Sequence, residues 1–104
     1  MSNKYSKDVL LKAFNSARNN KEQIVAGEIC GCFSCKNIFY TYEINEWISD
    51  EIGDTALCPY CYIEAVIGEK SGLPITDDFL TAMNEHWFRG IYDIRWQWWL
   101  YKNI

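Results

Sequence analysis

The chain has 104 residues, about half of them hydrophobic, enough for one small core and too few for further modules. Its formal charge is −4, and its ten Lys and Arg residues are scattered with no basic run, which argues against a phosphate-tracking surface. No apolar stretch approaches the roughly 20 residues of a transmembrane helix, and Met1 to Asp8 lacks the pattern of a secretory leader, so a cytoplasmic protein is expected.

Ser6 to Arg18 places Val9, Leu10, Ala13, Phe14 and Ala17 at helical spacing, with Ser6 as N-cap. The spacing predicts an amphipathic first helix over about residues 6–20. Asn37-Ile-Phe-Tyr is short, apolar and aromatic and reads as a strand. Thr41 and Glu43 then supply a start signal for a short helix carrying Ile44, Trp47 and Ile48. Gly53-Asp54 marks a turn. Ile63, Val66 and Ile67 fit one face of another helix, starting near Cys61 and stopped by Gly68.

Thr76 caps a helix whose first turn holds Asp77 and Asp78, the sign favoured by the helix dipole. Its buried face is expected to be Phe79, Leu80, Met83 and Trp87. Beyond Gly90, Tyr92, Ile94, Trp96, Trp98 and Leu100 alternate with Asp93, Arg95 and Gln97, the period of a half-buried strand reaching to about residue 101.

Chemistry concentrates in the cysteines. Cys32-Phe-Ser-Cys35 and Cys58-Pro-Tyr-Cys61 form two C-x2-C pairs separated by 22 residues. Two residues between thiols let a tight turn aim both sulfurs at one point, and two such turns complete a tetrahedron, so one structural Zn²⁺ on Cys32, Cys35, Cys58 and Cys61 is expected. Iron is bound by the same thiolate set. Four thiolates leave no open coordination position for activating water. With the ion bound, the formal charge becomes about −6.

Cys58-Pro-Tyr-Cys61 also has the C-x-x-C form of a redox pair, but the surrounding βαβ context is missing and the second cysteine pair favours metal. Cys30, one residue from Cys32, cannot form the same knuckle and is expected outside the ligand set as a small buried hydrophobe. His86 is the single histidine; without a nucleophile or acid placed beside it, it reads as a packed or surface residue. Asp77 and Asp78 are explained by the helix start.

Together these elements predict an α+β domain. Residues 28–68 form a four-cysteine core of the treble-clef or zinc-ribbon kind, between an N-terminal helix and a C-terminal helix and aromatic strand over 76–101. Trp96, Trp98, Trp99 and Tyr101 either complete the core or form a contact surface for a partner or a second copy.

Cys32-Phe-Ser-Cys35, Glu43-Ile-Asn-Glu-Trp47-Ile48, Thr55 to Cys61, Ser71 to Leu80 and His86-Trp-Phe88 together resemble a family of small bacterial proteins described only as cytoplasmic. The resemblance spans about residues 28–88 and implies a bacterial zinc-binding domain with no assigned activity. Tyr62 stands where C-P-x-C-G fingers carry glycine.

A closed metal site and a lone histidine point to a non-enzymatic protein-binding module, its acidic surface suited to a basic partner such as a toxin neutralised by an immunity-type protein. A regulatory nucleic-acid-binding finger is the second reading, opposed by the charge. A hydrolase using His86 as base is the third.

Overall fold

A computed structural model of the chain describes residues 5–88. The expected strand over 92–100, with Trp96, Trp98, Trp99 and Tyr101, lies outside the described residues. Within them the chain is an α+β domain of three helices and two small antiparallel sheets.

The first helix, α1 (Lys7–Asn15), begins where Ser6 accepts a hydrogen bond from Val9 N, and it buries Leu10 and Ala13. A second, unanticipated helix of five residues, α2 (Lys21–Val25), follows. Between them sits the buried Asn20, whose amide satisfies three elements at once. Its Nδ2 donates to Ser16 O and Val66 O, both at 2.9 Å, and its Oδ1 accepts from Ala56 N at 3.2 Å.

One sheet has the order β2 (Ile38–Tyr40), β1 (Ile29–Cys32), β5 (Val66–Gly68). Its registers pair Cys30 with Phe39 and with Gly68, and Gly31 with Ile67. The other pairs β3 (Trp47–Ser49) with β4 (Asp54–Ala56), Ile48 opposite Thr55. Two expectations are corrected here. Glu43 does cap, its Oε2 accepting from Tyr40 N, but only a single 3-10 turn, Thr41–Glu43, and Trp47 and Ile48 then extend as β3. Likewise Val66 and Ile67 belong to strand β5, not to a helix after Cys61.

The physical reason is the same in both places. A short apolar run has no decisive helical period, and β-branched and aromatic residues favour a pleated surface once a partner strand is available. Strands β4 and β1 provide those partners.

The third helix, α3 (Asp77–Trp87), starts at Thr76, whose side chain accepts from Phe79 N, and buries Phe79, Leu80, Met83 and Asn84. Trp87 is half-buried; it stacks on Phe14 at 4.4 Å between centroids and donates from Nε1 to Leu10 O. Leu80 and Ile75 lie so close to β1 that a Cβ on Gly31 would meet Leu80 Cδ1 at 2.8 Å. Helices α1 and α3 thereby converge on Phe33, which is fully buried against Phe14 and Phe88.

Candidate metal centre

Phe33 is the second residue of the turn Cys32-Phe-Ser-Cys35, so the apolar core grips this knuckle from below. The backbone closes each turn in the same way. Cys32 N donates to Asn37 O and Lys36 N to Cys32 O; in the second turn Cys58 N donates to Ile63 O and Tyr62 N to Cys58 O. To make these bonds, the residue after each second cysteine must turn into the left-handed region, and Lys36 (φ 67°) and Tyr62 (φ 61°) do so. Tyr62 therefore holds the glycine-type conformation that the usual finger pattern implies, without the glycine.

The two turns bring Cys32, Cys35, Cys58 and Cys61 together, with all four sulfurs within 4.8 Å of one another. The Cys32–Cys61 and Cys35–Cys58 sulfur distances are both 3.6 Å. A tetrahedral ion with metal–sulfur bonds of about 2.3 Å needs sulfur–sulfur edges of about 3.8 Å. The donor set and its dimensions therefore fit a metal ion held by four thiolates, and are compatible with zinc.

The surroundings are arranged for negative sulfur. Ser34 N points at Cys32 Sγ (3.4 Å), Tyr60 N at Cys58 Sγ (3.3 Å) and Asn37 Nδ2 at Cys35 Sγ (3.3 Å). Such donors spread the charge of a thiolate cluster and orient it. Cys32 and Cys58 are fully buried, while Cys35 and Cys61 are half-buried.

Hydrogen bonds among the sulfurs shift Cys32, Cys35 and Cys61. The hydrogen bond shared with Cys32 is the largest influence holding Cys35 down at about 6 and Cys61 at about 4, against a rise from burial in each. Cys32, hydrogen-bonded first to Cys35 and then to Cys58 and Cys61, is pushed far up. The charge of each of these sulfurs thus depends on its neighbours, and a bound cation would stabilise the thiolates directly.

Cys30 is fully buried on β1, its sulfur 3.4 Å from Thr41 Oγ1, and it stands outside the four-sulfur cluster. Burial is the largest influence raising its pKa. His86 is exposed on α3, edge-on to Trp87, and is not part of the cluster.

Asn84 was not singled out in the sequence. From the buried face of α3 its Nδ2 donates to Phe33 O at 3.1 Å and to Ser34 O at 2.8 Å, locking the first knuckle to the helix. The signal was available, because Asn84 lies four residues after Leu80 on an otherwise apolar stripe, where a polar side chain needs a partner.

No protein-family model, curated protein or solved structure matches the chain. The resemblance to small bacterial proteins therefore rests on its quoted motifs, and the clustered cysteines are the part of it that the structure reproduces. Among the described residues no helix is long and apolar enough to cross a membrane.

Proposed function

We propose that this chain is a non-enzymatic protein-binding module of the bacterial cytoplasm, built around one structural Zn²⁺ on Cys32, Cys35, Cys58 and Cys61. The observation that carries this reading is the four-sulfur cluster itself: four thiolates fill a tetrahedron and leave no position for a substrate or an activated water. Each knuckle lies between two strands, Cys32 to Cys35 between β1 and β2 and Cys58 to Cys61 between β4 and β5, which favours a zinc-ribbon over a treble-clef description.

A basic protein is the partner class best suited to an acidic chain whose charge falls from −4 to about −6 when the thiolates bind zinc. An immunity-type role against a basic toxin fits that charge by analogy. Native mass spectrometry of protein purified without added metal should show one zinc per chain, lost on chelation together with the fold. Fluorescence anisotropy against a basic nuclease-type toxin should show binding that weakens with salt, and a labelled duplex should not bind even at low salt. Duplex binding, or metal-free protein that keeps its fold, overturns the reading.

A further inference from the structure

The hairpin that carries the first knuckle, together with the 3-10 turn after it, also carries a pair of tyrosines outside the sulfur cluster. Tyr40 ends β2 at 48% exposure, and Tyr42 is 81% exposed. Their rings stack at 5.3 Å with only 9° between planes. Beside them Gly27, Glu28 and Thr41 complete a groove of about 470 Å³.

This groove is held in shape. Thr41 N donates to Glu28 O at 2.8 Å, and Thr41 Oγ1 reaches Gly27 O at 3.2 Å. Glu69 Oε2 accepts from Glu28 N and Ile29 N, tying that wall to the loop after β5. On the opposite side Glu43 bridges Tyr40 N and the Tyr60 hydroxyl.

A fixed aromatic face beside carboxylates selects for a cation, because the ring quadrupole and the carboxylate attract the same charge and both repel phosphate. Glu28 lines the groove and Glu69 stands behind it, with Lys70 beside Glu69. The chain already binds one of its own cations in this manner. Lys21 Nζ sits 5.1 Å above the Trp47 ring and 3.5 Å from Asp54.

We propose that the Tyr40–Tyr42 groove seats an arginine side chain of a basic partner segment, with the guanidinium flat on a tyrosine face and paired with Glu28. Arginine is preferred to lysine because its planar, weakly hydrated head stacks and pairs at the same time. The proposal rests on the protein-binding reading and assigns it a surface.

The test uses the full metal-loaded chain and an acetylated Gly-Ser peptide with a central arginine, together with its lysine and citrulline twins, followed by NMR titration. Shifts should centre on Gly27, Glu28 and residues 40–42, with arginine binding tighter than lysine and citrulline inert. Tyr42→Ala, whose side chain is largely in solvent and whose zinc content checks its fold, should weaken arginine binding about tenfold. Glu28→Gln should weaken it several-fold and flatten its salt dependence. Equal affinity in Tyr42→Ala, equal binding of citrulline, or concentration-dependent shifts from a second copy filling the groove each overturn the arginine seat while leaving the module reading standing. Loss of binding to basic proteins as well overturns both.

Discussion

Asn84→Ala tests whether the first knuckle depends on α3. The substitution removes two hydrogen bonds, to Phe33 O and Ser34 O. Each contributes about 1 kcal/mol, and the buried Phe33 carbonyl left without this donor adds about 1–3 kcal/mol. Ser34 is half-buried and can recover water, so the total is about 2–4 kcal/mol. At roughly 4 °C per kcal/mol for a chain of this size, the melting temperature of the zinc-loaded protein should fall by about 8–16 °C. A loosened second layer around metal ligands typically weakens metal binding by about 10–100-fold, so a chromogenic chelator should strip zinc at correspondingly lower concentration. Asn84→Asp keeps the shape and turns an acceptor toward two carbonyls; it should lose at least as much. A melt within about 0.5 kcal/mol of wild type, with unchanged chelator competition, would show that the knuckle stands without the helix.

Other perturbations separate backbone, packing and charge. Tyr62→Gly should stabilise by up to about 1 kcal/mol in urea unfolding, since left-handed backbone costs a non-glycine residue about 1–2 kcal/mol and glycine returns part of that as chain entropy. A destabilised variant would mean that the half-exposed ring packs more than its surroundings suggest. Gly31→Ala should cost about 1–3 kcal/mol, because its methyl would meet Leu80 at 2.8 Å and Ile75 at 3.1 Å. An unshifted denaturation midpoint would remove close helix–strand contact as the reason for that glycine. Glu69 is held below its ordinary 4.5, first by Glu28 N and then by Ile29 N. Its carboxylate therefore stabilises the fold fully above pH 4.5, and this is lost as pH falls through the lower folded value. The stability gap between wild type and Glu69→Gln should be constant near neutrality and narrow below pH 4.5; a gap that widens there refutes the assignment.

What could be read along the chain was whatever a single element decides for itself. Ser6 and Thr76 announce α1 and α3 because a cap and the first turn it closes are local. The two C-x2-C turns announce the sulfur cluster because each aims its thiols without outside help. Ile44 to Ile48 and Ile63 to Ile67 misled, since a short apolar run has no decisive period and the choice belongs to a partner strand elsewhere in the chain. Asn20 and Asn84 hid the identity of their partners for a related reason. Their value lies in backbone groups 36 to 51 residues away, which no local pattern marks.

The same division between local and distant explains why a metal belongs at this place in the fold. Lys36 to Leu57, 22 residues, separate the two knuckles, and bringing such ends together costs entropy that neither short sheet repays alone. In the metal-free cluster, Cys35 and Cys61 both favour the thiolate at neutral pH and lie within 4.8 Å of each other. Closing the site without a cation therefore gathers like charge as well as spending chain entropy. A divalent ion reverses both terms: it cancels the repulsion and acts as a cross-link between the β1–β2 hairpin and the β4–β5 turn. Tyr40 ends that hairpin and Tyr42 lies in the 3-10 turn after it, so the proposed arginine seat should depend on metal loading although neither tyrosine belongs to the sulfur cluster. Protein stripped of zinc should lose its core and its arginine-dependent NMR shifts at the same chelator concentration, whereas Tyr42→Ala should lose only the shifts.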